Sequence, residues 1–234
     1  MNRIVLITGA SSGYGLATAK AFVDNGDTVI MAARNLKKLE AARTETGAAL
    51  AISMDVTSPA DWDSVKSVIL EKYGRLDILV NNAGGGVTIK EVSEFTTEEI
   101  DSVIKLNLNS VIYGCRAFAD VMKAQKSGTM INISSVCARQ CWPTWSVYAA
   151  AKAGVLNFTK GLYVELQPHG VRATCVIPAS ASTGFQKNAG IGEVEQSLKV
   201  EDVANAVYYV ATQPKGVVVE EITVWGTSQV VIPL

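Results

Sequence analysis

The sequence predicts an α/β fold in which one parallel sheet of about seven strands carries helices on both faces. Short β-branched runs alternate with longer amphipathic stretches along the chain, as in strands joined by crossover helices. A length of 234 residues suits a single domain, 1–234, with a sizeable core. Near the N-terminus an apolar run passes through a glycine-rich turn into a helical pattern, which is typical of a doubly wound sheet.

The predicted elements follow from that alternation in chain order. Apolar, β-branched runs predict strands near residues 3–8, 27–33, 48–54, 77–81, 128–134, 171–177 and 219–225. Amphipathic stretches predict helices near residues 14–25, 35–46, 58–73, 97–125, 147–167 and 200–212. The segment 178–199 is the most irregular and contains Gly184, Gly190 and Gly192. Such segments are usually lids or binding elements, so we expect this one to contact substrate or cofactor.

Composition argues against several classes of protein. The net charge is −1 and the Lys and Arg residues are scattered, which does not favour a nucleic-acid or anionic-membrane surface. No apolar stretch reaches the roughly 18 residues of a spanning helix. Met1-Asn2-Arg3 leads directly into the first predicted strand, which leaves no room for a signal peptide. We therefore expect a cytoplasmic protein that acts on a small molecule, with neither nucleic acid nor membrane as partner.

Cysteine and histidine usage predicts no metal site. The four cysteines contain no Cys-x-x-Cys pair, and the single histidine is His169. A zinc site would need ligands scattered over several elements, so we expect reduced, structural thiols. His169 follows Pro168 in a predicted helix-ending turn, which argues against an ordinary Ser/His/Asp hydrolase.

The turn after the first strand predicts a dinucleotide site of the Rossmann type. The apolar run Ile4–Ile7 leads into Thr8-Gly9-Ala10-Ser11-Ser12-Gly13-Tyr14-Gly15 and then a helical pattern. Glycines let the backbone approach a pyrophosphate, which the free N–H groups and the dipole of the helix N-terminus stabilise. The predicted cofactor contacts are Gly9, Ser11, Ser12, Gly13, Tyr14 and Gly15. A turn used only for tight packing is the alternative.

Other candidate segments follow the remaining predicted strands. They are Ala33-Arg34, Asp55-Val56, Asn81 to Gly84, Ser134-Ser135 and Pro178 to Thr183. Right-handed crossovers bring the carboxyl ends of parallel strands to one edge, where ligands bind in doubly wound folds. The sequence therefore predicts a single active site at that edge.

Tyr148 and Lys152 lie thirteen and seventeen residues after Ser135, and these three side chains together can move one proton. One helical turn separates Tyr148 from Lys152, so both project from one face and the ammonium group can lower the phenol's pKa. A Tyr-x-x-x-Lys pair arises easily by chance and carries little weight alone. The accompanying motifs supply that weight.

These motifs together resemble the classical short-chain dehydrogenase/reductase family. The resemblance consists of Gly-x-x-x-Gly-x-Gly after Thr8, Asn81-Asn82-Ala83-Gly84, and the ordered Ser135, Tyr148 and Lys152. It runs from Ile4 to about Trp225. It implies an oxidoreductase that transfers a hydride between a nicotinamide cofactor and a secondary alcohol, or the corresponding ketone or aldehyde.

The resemblance also implies roles for individual residues. Tyr148 is the general acid or base, Ser135 positions the substrate oxygen, and Lys152 holds the nicotinamide ribose. Asn107 resembles the helix Asn that completes a proton relay through water, with Asn109 as a competing candidate; Ser134 is the alternative to Ser135. The family usually assembles as tetramers, so a homo-oligomer formed through helices 97–125 and 147–167 is expected.

The end of the second strand predicts NADP(H) in preference to NAD(H). An acid there would bind the adenosine ribose hydroxyls and repel a 2′-phosphate, but Ala33 occupies that place. Arg34 follows, and a guanidinium can bind a phosphate with two hydrogen bonds, with Ser11 or Ser12 as possible helpers. A solvated Arg at the start of a helix is the alternative interpretation.

The resemblance extends the cofactor site to later strand ends. It implies contacts from Asp55, Val56, Asn82, Ala83, Gly84, Pro178, Ala181 and Thr183, together with Tyr148 and Lys152. Asp55 is equally understandable as a turn residue before Thr-Ser-Pro. Ala179 departs from the family's usual Pro-Gly start, which restricts the backbone where Gly would not.

The substrate prediction rests on fewer residues. Trp142, Trp145 and Phe185, with Ser135 and Tyr148, predict a largely apolar and aromatic pocket, although aromatic residues are also ordinary core or interface material. Arg139 can meet a substrate carboxylate or face solvent. The segment 200–229 resembles the branch containing NADP-dependent 3-hydroxy acid (serine-type) dehydrogenases. Alternatives are therefore a 3-hydroxy acid or hydroxysteroid-type dehydrogenase, and a nucleotide-sensing protein without catalysis.

Overall fold

The computed structural model describes residues 2–86, 88–181 and 198–229, and strands within them form one parallel sheet. The strands are β1 (Ile4–Thr8), β2 (Thr28–Ala33), β3 (Leu50–Ser53), β4 (Ile78–Asn81), β5 (Gly128–Ile133), β6 (Val171–Pro178) and β7 (Glu221–Val224). Their order is β3-β2-β1-β4-β5-β6-β7, and every neighbouring pair is parallel. The predicted doubly wound α/β fold with a seven-stranded parallel sheet is confirmed.

Helices cover both faces of this sheet. They are α1 (Gly13–Asp24), α2 (Leu36–Thr46), α3 (Pro59–Tyr73), α4 (Thr97–Ile104), α5 (Ser110–Gln125), α6 (Ser146–Leu166) and α7 (Val200–Ala211). In β1, Leu6 packs in the core that contains Phe118 of α5, whereas Val5 and Ile7 pack in the core that contains Phe22 of α1. Successive strand side chains point to opposite faces, so two buried faces require a continuous apolar run.

The stretch 97–125, predicted as one helix, contains an irregular turn. It comprises α4, a π-helical turn at Lys105–Asn109, and α5. Amphipathic periodicity did not reveal this turn because the helix continues on both sides of it. Single π-turns inside helices occur often at functional sites. This one carries Asn107, which is 0% exposed.

The strand order reverses beside β1, which lies between β2 and β4, so a crevice opens at the carboxyl ends of these strands. Beyond β6, Ala181 forms an isolated parallel bridge with Leu198. Most of the predicted binding segment 178–199, including the predicted contacts Thr183 and Phe185, lies outside the described residues. In the described ranges, no helix is long and apolar enough to cross a membrane.

Candidate active site

A cavity of about 1300 Å³ lies along the carboxyl ends of the strands. Drug-sized ligands occupy roughly 300–1,000 Å³, so this space accommodates more than one small group. The predicted residues that line it are Gly9, Ser11, Ser12, Gly13, Tyr14, Arg34, Val56, Asn82, Ala83, Gly84, Ser135, Trp142, Trp145, Tyr148, Lys152, Pro178 and Ala181. Gly15, Asp55 and Asn107 are not among the lining residues. The structure thus brings together predicted residues that lie up to 172 positions apart along the chain, from Gly9 to Ala181.

The glycine-rich turn after β1 needs its glycines for two different reasons. Gly9 and Gly13 have φ of 64° and 55°, the left-handed region that glycine adopts without strain. Gly15 instead allows close packing, because a Cβ there would lie 2.5 Å from the Gly9 carbonyl oxygen. Gly15 is therefore needed for tight packing, as the alternative interpretation of the turn expected. Gly9 and Gly13 instead line the cavity with their backbone. Such a turn fits a pyrophosphate at the N-terminus of α1.

Asn82 and Thr8 lock this turn to the end of β4. The Asn82 side-chain amide donates to the Thr8 carbonyl oxygen at 2.8 Å. The Thr8 hydroxyl oxygen accepts from the backbone N–H groups of Asn82 and Ala83, each at 3.0 Å. The Asn-Asn-Ala-Gly motif therefore fixes the relative position of two strand ends that a dinucleotide would contact.

Two exposed cations line the end of the cavity near β2. One is the predicted Arg34, and the other is Lys38, one helical turn later at the start of α2. Sequence reasoning missed Lys38, although the helix predicted at 35–46 places this residue in its first turn, close to the end of the second strand. Among the described residues, no Asp or Glu lines the cavity. The donor set at this end suits a phosphate dianion.

Asp55 acts as a turn residue, which was the alternative interpretation of this position. Its Oδ1 accepts hydrogen bonds from the Thr57 N–H at 2.9 Å and from the Thr57 hydroxyl at 2.8 Å. The N–H bond is the main reason that the pKa of Asp55 is lowered from its usual value. Because the neighbours Met54 and Val56 line the cavity and Asp55 does not, adenine contact by Asp55 stays a prediction.

Tyr148 and Lys152 project from α6 into the buried part of the cavity. The Lys152 ammonium donates to the Ile133 carbonyl oxygen at 3.0 Å and lies 5.7 Å from the centroid of the Tyr148 ring. A Cβ added to Gly84 would lie 3.4 Å from Lys152 Nζ and 3.2 Å from Asn107 Oδ1. Lys152 and Asn107 therefore flank Gly84, and a side chain there would require Asn107 to shift by a few tenths of an ångström.

Burial dominates the protonation of this pair. It raises the pKa of the Tyr148 phenol well above the ordinary value, while a hydrogen bond with Ser135 acts in the lowering direction. It also lowers the pKa of Lys152 to about 8. We expected the ammonium charge to lower the phenol's pKa, but this pKa is raised, chiefly because burial disfavours the charged phenolate. Tyr148 is therefore held in its neutral, proton-donating form.

The two candidate serines have different partners. The Ser134 hydroxyl is buried and donates to the Lys152 carbonyl oxygen at 2.8 Å. The Ser135 hydroxyl hydrogen-bonds with Tyr148 and accepts from the Cys137 N–H at 3.2 Å. Ser134 is thus bonded to the backbone of α6, whereas Ser135 lies beside the phenol.

Both polar atoms of the Asn107 side-chain amide form hydrogen bonds within the protein. Its Oδ1 accepts from the Gly85 N–H at 2.9 Å, and its Nδ2 donates to the carbonyl oxygens of Gly85 and Val103 at 2.9 and 3.0 Å. The side chain thereby fixes the segment after Gly84 against the π-turn. Its part in a proton relay stays a prediction.

Aromatic side chains form the other wall of the cavity. Trp145 packs edge-on against Tyr148, with ring centroids 5.7 Å apart and planes at 67°. Trp142 lines the same space, as do Cys137 and Trp225, which sequence reasoning did not assign to the site. Trp225 follows β7, and its place in the cavity depends on the sheet order, which no local pattern indicates.

Arg139 is exposed and forms an ion pair within the chain. Its guanidinium pairs with Glu221 on β7 and donates to the Thr223 hydroxyl at 3.2 Å. Lys160 of α6 also approaches Glu221, with a nitrogen–oxygen distance of 3.3 Å. Of the two alternatives for Arg139, the structure agrees with the solvent-facing one, because the side chain is exposed. The carboxylate that it meets belongs to Glu221 of β7, 82 positions away in the sequence, and no local pattern indicated this pair.

Thiols and carboxylates do not gather into a metal site in the part of the chain that the structure describes. The four cysteines are unpaired; Cys115, Cys137 and Cys175 are buried and Cys141 is exposed. Burial raises the pKa of Cys115 and Cys175 to about 12, so these two thiols stay protonated.

Comparison with known proteins supports one family. The family model described as short chain dehydrogenase matches residues 3–194. An uncharacterized oxidoreductase of Staphylococcus epidermidis is 32% identical over 223 residues, which cover 95% of this chain and 96% of that protein.

Solved structures extend the similarity to the whole fold. A closed form of serine dehydrogenase in complex with NADP+ has a TM-score of 0.90 at 28% identity, covering 99% of this chain and 98% of that one. An alcohol dehydrogenase from the archaeon Thermococcus sibiricus, in complex with 5-hydroxy-NADP, has a TM-score of 0.89 at 26% identity, covering 100% of both chains.

Proposed function

The chain belongs to the short-chain dehydrogenase family, and on that basis we propose that it is an NADP(H)-dependent oxidoreductase. In this proposal it transfers a hydride between the nicotinamide and a secondary alcohol, or the corresponding ketone or aldehyde. The observation that carries the proposal is the cluster of Ser135, Tyr148 and Lys152, in which a neutral phenol, a hydroxyl and a cation share one buried pocket. Such a cluster suits proton transfer to a carbonyl oxygen.

The preference for NADP(H) is supported by charge at the β2 end of the cavity. Arg34 and Lys38 line it, Ala33 stands where an acid would repel a 2′-phosphate, and the structures compared above hold NADP+ or 5-hydroxy-NADP. The cofactor, when bound, supplies or accepts the hydride. The glycine-rich turn would bind its pyrophosphate, and Arg34 with Lys38 would bind its 2′-phosphate.

In the reducing direction, Tyr148 donates its proton to the carbonyl oxygen as the carbonyl carbon gains hydride, which yields an alcohol and a phenolate. Ser135 donates a hydrogen bond to the same oxygen, where negative charge develops. The Lys152 cation stabilises the phenolate that forms. Reprotonation of the phenolate completes the cycle, and oxidation of an alcohol reverses each transfer.

A 3-hydroxy acid is the second candidate substrate. Its support is the similarity of the whole chain to serine dehydrogenase. Arg139 does not supply the carboxylate-binding cation in this case, because it pairs with Glu221. The aromatic wall of Trp142 and Trp145 favours the leading candidate, a neutral ketone or aldehyde of small or medium size.

Assembly and location form part of the same proposal. We propose a cytoplasmic homo-oligomer, a tetramer or dimer, in which α5 and α6 of neighbouring copies pack together.

The test follows NADPH and NADH consumption with a panel of ketones, aldehydes and 3-oxo acids. Tyr148→Phe should lower kcat by roughly 10²- to 10⁴-fold, the usual contribution of a general acid, because it removes only the transferable proton. Tyr163→Phe on the same helix is the matched control and should retain parental kcat.

The outcomes separate the alternatives. Turnover with NADPH that Tyr148→Phe abolishes supports the proposed enzyme, and the best substrate in the panel identifies its class. Turnover that survives in Tyr148→Phe contradicts the role of the phenol. Nucleotide binding without turnover of any panel member would favour the nucleotide-sensing alternative.

A further inference from the structure

Tyr14 connects the glycine-rich turn to the segment that follows β6. It lies between Gly13 and Gly15, is partly buried, and donates its hydroxyl to the Ala179 carbonyl oxygen at 3.3 Å. Both residues line the cavity, although they are 165 positions apart in the chain. The side chain therefore links the glycine-rich turn to the segment after β6 within the cavity.

The segment that receives this bond is held by several other contacts. The Ala179 N–H donates to the Val224 carbonyl oxygen at 2.9 Å. The Ser180 carbonyl oxygen accepts from the Leu198 N–H at 3.0 Å and from the Gln229 amide at 2.6 Å. These bonds fix the Ala179 N–H and the Ser180 carbonyl group. The Tyr14 bond to the Ala179 carbonyl oxygen adds a further restraint, from the side where the cofactor would lie.

Ala179 is suited to this arrangement. Among described residues other than glycine, only Lys126 and Thr144 have a positive φ, so Ala179 needs no glycine-like conformation. The departure from Pro-Gly thus leaves the backbone unstrained. Burial raises the pKa of Tyr14 above its ordinary value, which keeps its hydroxyl protonated and able to donate at neutral pH.

We propose that Tyr14 is a positioning residue that fastens the segment 178–181 to the glycine-rich turn and so sets the site for the nicotinamide half of NADP(H). The inference rests on the proposed function, because it assigns that segment to the nicotinamide. The adenine half lies beside Arg34 and Lys38, at the other end of the cavity. Removing the Tyr14 hydroxyl should therefore weaken binding of the whole dinucleotide and leave binding of its adenine half unchanged.

The experiment uses two probes with one variant. Binding of NADP+ and of adenosine 2′,5′-bisphosphate is measured by isothermal titration calorimetry for the parent and Tyr14→Phe. Phe keeps the ring and removes only the hydroxyl. The bond at 3.3 Å is long for an O–H···O contact, so its loss should raise the Kd for NADP+ by roughly three- to fivefold. The Kd for the bisphosphate should stay within about twofold.

Tyr208→Phe is the matched control. Tyr208 also has a partly buried hydroxyl with a partner, accepting from Arg3 at 3.4 Å, but it lies on α7 outside the cavity. It should leave both dissociation constants unchanged. A loss confined to NADP+ in Tyr14→Phe supports the inference, whereas no loss, or an equal loss for both probes, overturns it. A parent protein that binds neither NADP+ nor the bisphosphate would instead contradict the proposed function.

Discussion

The two ends of the cavity place their charged groups in opposite environments. At the β2 end, Arg34 and Lys38 are exposed and project from the start of a helix. At the β5 end, Lys152 is 4% exposed, and Ser134 and Asn107 are buried with it. The first end presents cations to solvent, while the second binds its polar groups to carbonyl oxygens of the chain.

This difference suggests that the β2 end controls cofactor affinity and the β5 end controls the reaction. Exposed cations bind an anion with only modest energy, because water and salt screen them. A buried cation interacts more strongly with a neighbouring charge and changes its own pKa, as Lys152 does. We therefore expect substitutions at the β2 end to change cofactor selection and those at the β5 end to change turnover.

The largest contrast is expected within the β5 end, between neighbouring serines. Ser135→Ala should lower kcat by roughly 10²- to 10³-fold, because it removes a hydrogen bond to the oxygen where charge develops. Ser134→Ala should retain most activity and lose about 1–2 kcal/mol of unfolding free energy, since its buried hydroxyl bonds to the backbone of α6. Steady-state kinetics and denaturant unfolding measure the two effects. A severe loss of kcat in a stable Ser134→Ala variant would contradict the structural role given to Ser134.

A smaller effect is expected at the β2 end. Arg34→Ala should raise the KM for NADPH by roughly tenfold, the low end for hydrogen bonds to a charged group, because Arg34 is exposed. Lys38→Ala should raise it by about threefold. Neither should change the KM for NADH, which lacks the 2′-phosphate.

Lys37→Ala provides the control for this pair. Lys37 is exposed between Arg34 and Lys38 but does not line the cavity. Its substitution should leave the KM for both cofactors unchanged. If Arg34→Ala raised the KM for NADPH and the KM for NADH equally, Arg34 would stabilise the site in general and would not bind the 2′-phosphate.

An effect of similar size is expected from pH, and it belongs to the β5 end alone. The pKa of Lys152 is lowered to about 8, so the cation that stabilises the forming phenolate is present below that pH and lost above it. For carbonyl reduction, kcat/KM should therefore fall above pH 8, approaching tenfold per unit. Affinity for adenosine 2′,5′-bisphosphate should stay level from pH 8 to about 9, because this probe is expected to bind at the β2 end, away from Lys152. A level kcat/KM over that range would contradict the role of a charged Lys152.

Local sequence signals predicted much of the fold and the site. The apolar runs located the strands, and segments that follow them, from Gly9 to Ala181, line one cavity. These predictions succeeded because strand order and right-handed crossovers place all carboxyl ends on one edge. Boundaries were less accurate: the strand predicted at 219–225 is Glu221–Val224.

Contacts between distant segments account for what the sequence did not reveal. Arg139 pairs with Glu221, Tyr14 bonds to Ala179, and Trp225 reaches the cavity from beyond β7. Each pairing spans many residues, and no periodicity or motif connects its partners. The π-turn at Lys105–Asn109 escaped detection because amphipathic spacing continues through it.

The order and spacing of motifs alone were enough to predict the doubly wound sheet and the residues that gather around the cavity at its carboxyl edge. Tertiary structure decided which of these residues are buried, and burial sets their chemistry. The same spacing of Tyr148 and Lys152 on an exposed helix would leave both pKa values near ordinary. Enclosed by α6, β5 and the aromatic wall, the phenol stays neutral and the ammonium group loses its proton near pH 8, because desolvation disfavours either charge.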